Sequence, residues 1–215
     1  MPADDDRSGA SRRRLPASER RVLILDAALR TFAANGYDGA AMDEIAAAAG
    51  VSKAVVYDHV SSKRELYTQL LDAIRDDLER AVERSLAPAE LRGEARVRAA
   101  VTAIFRYVQE NKEASRLLLL ELQGASVSQV GRQLEERIAD ELAQTLGDDA
   151  GLFDRHPERA RQLRVLAELL KASVLGIVGW WYRHPDIPRD DLVERSVGVI
   201  WPAIDRARAD GPVDA

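Results

Sequence analysis

Three histidines, His59, His156 and His184, are the only imidazoles in the 215 residues, and they are scattered. No H-E-x-x-H, phosphate loop, G-x-S-x-G or G-x-G-x-x-G is present to arrange a metal, a nucleotide or a nucleophile. Gly124-Ala125-Ser126-Val127-Ser128 lacks the closing glycine of a nucleophile elbow. There is no cysteine, which removes disulfides, thiolate metal sites and cysteine nucleophiles. The acid pairs Asp76–Asp77 and Asp190–Asp191 read as solvated faces. The expectation is no catalytic residue, no metal and no cofactor. The chemistry left is that of cations. The net charge of -5 hides a strong asymmetry: residues 7–21 hold six arginines against one glutamate, while residues 22–215 are net acidic. A basic segment ahead of an acidic body is a binding footprint for polyanions.

The elements that must position those cations are helices. Residues 1–17 show almost no apolar periodicity and read as a flexible, arginine-containing arm. From Ser18, Val22, Leu25, Ala28, Leu29 and Phe32 recur at spacings of three and four, up to a stop at Asn35-Gly36. A short helix is predicted over Met42–Ala49, a break at Gly50, and a third helix over Lys53–Val60 capped by Ser52. Ser62-Lys63-Arg64-Glu65 is a capping box that opens a long fourth helix. Beyond Pro88–Gly93, helices are predicted near 94–110, 113–122, 127–146, 157–183 and 189–208. The chain reads as all-α with about nine helices: an arm (1–17), a front unit (18–65), a bundle (66–208) and a tail (209–215). With 46% hydrophobic residues the chain can build a core, yet its uncharged stretches are too short to span a bilayer. No secretory pattern is seen, so a cytoplasmic protein without a membrane partner is expected.

Two short helices joined at a glycine, with another behind them, follow the helix-turn-helix plan, in which the second helix enters the major groove. Ile24–Tyr67, with Ala27-Ala28, Phe32, Gly36-Tyr37, Ile45-Ala46, Ala49-Gly50-Val51-Ser52, Tyr57, His59, Ser62-Lys63 and Leu66 at fixed spacings, resembles the DNA-binding domain of the TetR family of transcriptional repressors. The resemblance implies a homodimer on a palindromic, double-stranded operator, released by a small effector held in the C-terminal bundle. It assigns Lys53 to base edges or phosphate, Tyr57 and His59 to phosphates, and Lys63 to a phosphate beside a helix N-terminus. Ser52 belongs to the same surface, and Ala54 and Val55 are the apolar readers of thymine methyls. Where the family often has threonine before the second helix, this chain has Ala40 and Ala41, and that contact is lost. Asp58 either accepts from cytosine N4 or, the favoured reading, repels phosphate and faces away from DNA. Arg12, Arg13 and Arg14 are either a solvated tail or a minor-groove arm. The net charge of -2 over residues 22–67 favours the arm. The stretch also resembles a subgroup of actinobacterial TetR regulators of lipid metabolism, one of which senses long-chain acyl-CoA.

For the bundle, Leu166, Leu170, Val174, Ile177 and Trp181 form one stripe, and Val193, Val197, Ile200 and Ile204 another. Both are expected at a four-helix dimer interface. Phe105, Tyr107, Val108, Arg116, Leu119, Gln123 and Trp180 are the expected pocket residues. Each of the apolar ones is also a candidate for plain core. Adjacent positions point about 100° apart on a helix, so Trp180 and Trp181 are expected to do different jobs. The Leu- and Val-rich stretches suggest a lipophilic effector, an acyl-CoA included. The function expected is a ligand-responsive dimeric repressor. An activator of the same fold, or an enzyme or lipid carrier built on a helical bundle, remains the alternative.

Overall fold

The computed structural model describes residues 16–123, 129–148, 152–153 and 156–209. Among them are nine α-helices and no strand: α1 (Ala17–Gly39), α2 (Met42–Ala48), α3 (Lys53–Tyr57), α4 (Lys63–Leu86), α5 (Gly93–Glu110), α6 (Lys112–Gln123), α7 (Gln129–Asp148), α8 (Arg159–Arg183) and α9 (Arg189–Ala209). The chain divides into two compact units, residues 1–66 and 67–215. No described helix is long and apolar enough to cross a membrane.

In the first unit, α1 buries one face: Ile24, Ala27, Ala28, Phe32 and Ala33. Met42, Ile45, Ala46, Val56, Val60 and Leu66 complete the core. Regular helix in α1 is interrupted at Gly36, where φ is +70°. The turn from α2 to α3 is a Schellman motif. The Val51 N–H donates to the Ala46 carbonyl at 3.0 Å and the Gly50 N–H to Ala47 at 3.1 Å. Gly50 takes the left-handed φ of +68° that this closure needs. The α3 helix stops at Tyr57, three residues before the expected end. Val60 leaves the helix and is buried, so the chain gains a core residue instead of another turn.

In the second unit, the inner faces of α5, α8 and α9 meet in one cluster: Val101, Phe105, Val108, Leu166, Trp181 and Val197 are among its members. Phe105 and Trp181 lie 5.2 Å apart, tilted at 51°. The Trp181 indole donates to the Ile187 carbonyl at 3.0 Å, which pins the turn between α8 and α9. At the start of α5, Gly93 has φ +51°, and a Cβ there would lie 3.3 Å from the Trp201 ring. Any side chain at position 93 is therefore strained in backbone and crowded by Trp201 at once.

The stripes expected at the dimer interface are used inside the protomer. Leu166, Leu170, Trp181, Val193, Val197, Ile200 and Ile204 are buried in this cluster, and Val174 and Ile177 pack half-buried against it. The physical reason is precedence: the most apolar face of an amphipathic helix goes first to its own core. The expected pocket is likewise dispersed. Phe105, Tyr107 and Val108 are core, and Leu119 packs against the core cluster. Arg116 is exposed, and Trp180 is 37% exposed with its ring stacked on His184 at 4.4 Å. The Gln123 side chain lies outside the described residues.

Candidate nucleic-acid interface

Ser52 opens α3 by accepting from the Val55 N–H at 3.3 Å, satisfying a donor the helix itself leaves free. With its side chain so used, Ser52 shapes the helix that presents the next positions. Lys53, Ala54 and Tyr57 are exposed, and Val55 and His59 are half-buried. Asp58 is exposed and caps the end of α3. The pattern leaves one short helix with a cation, a methyl and a phenol turned outward, a suitable set for phosphate and thymine contacts.

Two cations of this surface already hold partners. The Lys53 ammonium donates to Asp43 of α2 at 3.0 Å, and that hydrogen bond and charge raise the Lys53 pKa. The Lys63 ammonium donates to the Asp38 carbonyl at 3.1 Å and sits 4.8 Å from the centre of the Tyr37 ring. Tyr37 in turn stacks on the buried Phe32 at 6.1 Å. Asp43 and Tyr37 were not legible as partners in the sequence. The signal available was the ten-residue separation of Asp43 and Lys53, which acquires meaning only once the Schellman turn folds α2 back toward α3.

Caps fix the ends of the neighbouring helices. At α2 the cap residue is Ala41, which has no side-chain acceptor, so only half a capping box forms: the Ala41 N–H donates to Glu44 at 3.4 Å. At α4 the Glu65 N–H donates to the Ser62 hydroxyl at 3.1 Å, as the motif predicts. The Glu65 carboxylate reaches back one residue further than expected, accepting from the Ser61 N–H at 2.7 Å. Arg12, Arg13 and Arg14 lie outside the described residues.

This helix-turn-helix has known relatives. Residues 24–70 match the family model for bacterial regulatory proteins of the tetR family. The chain is 36% identical over 203 residues to the HTH-type transcriptional activator FasR of Mycolicibacterium smegmatis, a match covering 93% of this chain and 88% of that one. The chain belongs to the TetR family of transcriptional regulators, and it is a DNA-binding regulator. Solved structures agree on the fold. The fatty acid degradation regulator FadR from Bacillus halodurans superposes with a TM-score of 0.70 at 18% identity, over 88% of this chain and 96% of that one. AibR in complex with isovaleryl coenzyme A and operator DNA gives 0.59 at 23% identity, over 85% of this chain and 98% of that one.

Proposed function

We propose that this chain is a homodimeric, effector-responsive regulator that activates transcription when its recognition helices sit on a palindromic operator. The observation that carries the reading is the extent of the match to the Mycolicibacterium smegmatis activator, which runs through the second unit as well as the helix-turn-helix. Repression, the expectation from the DNA-binding motif alone, rests on the part of the chain that does not set the sign of the response. The effector class is lipophilic, an acyl thioester or a related amphiphile. Structures sharing this fold include a fatty acid degradation regulator and a complex with isovaleryl coenzyme A, and these support that class. On DNA, Lys53, Tyr57, His59 and Lys63 contact phosphates, Ala54 and Val55 touch base methyls, and Arg12–Arg14 enter the minor groove.

Dimerisation is supported by a second face on the last two helices. The exposed positions of α8 between 165 and 180 are Val165, Leu169, Ala172, Ser173, Gly176 and Trp180, none charged. The exposed positions of α9 between 196 and 204 are Gly198, Val199, Pro202 and Ala203, again uncharged. This face, not the buried stripes, is the dimer surface. The test is in vitro transcription from the protein's own upstream region. Added protein is expected to raise transcript from a promoter it shifts specifically in a gel, and an acyl-CoA series is expected to change that occupancy. A specific shift with lowered transcript would overturn activation, and no specific shift with any genomic fragment would overturn the whole reading.

A further inference from the structure

The second unit has an open cavity of about 360 Å³ at the corner of α4 and α5, lined by Ser85, Leu91, Ala95, Arg98, Ala99, Thr102, Ala103 and Arg106. Its volume falls within the range of small-molecule sites, roughly 300–1,000 Å³. The lining divides by chemistry along α5. Leu91, Ala95, Ala99 and Ala103 supply an apolar floor. The two arginines are not equivalent. Arg98 is held by Glu94 at 2.6 Å and by Glu194 of α9, so that cluster carries a net negative charge and offers a guanidinium already satisfied. Arg106, two helical turns further on, is exposed and has no ion pair or side-chain hydrogen bond among the described residues. Thr102, between them, is a half-buried residue of the lining. The Ser85 hydroxyl is spent on the Val82 carbonyl at 2.6 Å.

We propose that this cavity binds an amphiphile with one anionic head, seated on Arg106 and Thr102, and an apolar tail lying over Ala95, Ala99, Ala103 and Leu91 toward Arg98. The charge at each end sets the direction: a free guanidinium attracts the head, and the acid-bound Arg98 repels it. The occupant is chemically a fatty carboxylate or an alkyl phosphate, and it rests on the effector-responsive reading above. The cavity touches the last turn of α4, the helix whose first turn begins in the helix-turn-helix unit. The site differs from the interior positions Phe105, Tyr107 and Val108, which are packed.

The test uses the full chain with octanoate and octyl phosphate as probes, and octanol as the headless control. Both anions are expected to raise the Tm, and the tighter of the two identifies the head group. Octanol is expected to bind at least tenfold more weakly. Arg106→Gln is expected to lower affinity for the anions at least tenfold and to leave octanol unchanged. Ala99→Phe, which fills the floor, is expected to abolish binding of all three; circular dichroism and an intact operator shift check that it is folded. Anion binding unchanged in both variants overturns the site. Gel shifts separate the two readings. Anion binding that is lost in Arg106→Gln but leaves operator affinity untouched keeps the site and overturns its role as effector. An operator response that persists in both variants keeps the effector reading and overturns the site.

Discussion

Lys53, proposed above to contact phosphate, already holds an acid, Asp43. Its partner Asp43 is 70% exposed, and an ion pair in such a setting is weak in water, so a phosphate can replace the carboxylate. The replacement still costs the pair, and Asp43 left behind repels the backbone. Asp43→Asn is therefore expected to tighten operator binding by about twofold to fivefold and to steepen its salt dependence by up to ~0.9 in the log–log slope. An unchanged slope in a filter-binding or anisotropy titration would show that Lys53 makes no phosphate contact. A second residue-scale consequence lies between α4 and α7. Burial, and then the hydrogen bond and charge of Glu141, push the Glu79 carboxyl up to about 7, against the opposing charge of Arg75 and with Asp76 adding to the rise. The native state holds a proton that the unfolded chain, titrating at about 4.5, has released. The contribution is therefore complete below about pH 4.5 and lost as pH rises through 7. Glu79→Gln is expected to match the wild type in Tm near pH 5 and to exceed it at pH 8. Parallel Tm curves across that range would remove Glu79 from the pH response.

At the scale of elements, the helices were legible because two local rules agree: apolar residues at spacings of three and four, and breakers between the runs. Gly50 carries both a boundary and a geometry. Its Cβ position faces open space, so Gly50→Ala meets no clash and tests only the left-handed φ. A loss of about 1–2 kcal/mol in urea unfolding is expected; no loss would mean that the turn adopts another closure. What the sequence could not order was competition between faces. The stripe Leu166, Leu170, Trp181 satisfies the periodicity of an interface and of a core equally well, and only packing of α8 and α9 with α5 decides. The same limit hid the α4–α5 cavity. Ala95, Ala99 and Ala103 read as ordinary helix formers, and nothing in their spacing tells whether the facing side chain fills the space. Ser52 and the Schellman glycine were legible because each is fixed by a contact a few residues away, and Lys53 because it stands at a fixed place in the helix-turn-helix motif. Asp43 as the partner of Lys53 was not, because that contact depends on the turn between them.

For the whole molecule, the question is what covers the uncharged face of α8 and α9. Leu169 is 61% exposed and Val199 72%, an arrangement that leaves large apolar surface in water. Two glycines sharpen the point. A Cβ at Gly176 or Gly198 would touch nothing within 4 Å, so nothing inside the protomer requires glycine there. Within a helix glycine costs about 1 kcal/mol relative to alanine. Pro202 adds to that cost by withholding the N–H that the Gly198 carbonyl would otherwise receive. A helix face that is weakened twice and left apolar fits close approach by a second copy, whose backbone needs the room. On the proposed homodimer, Leu169→Glu is expected to leave only monomer in light scattering, because it would bury an unpaired carboxylate in the proposed contact. Gly176→Leu is expected to act in the same direction by steric exclusion alone, while the protomer keeps its helicity. Both variants are expected to lose most operator affinity, since half-sites about 34–36 Å apart demand two recognition helices held together. A dimer that persists in both variants with unchanged operator affinity would move the interface off this face.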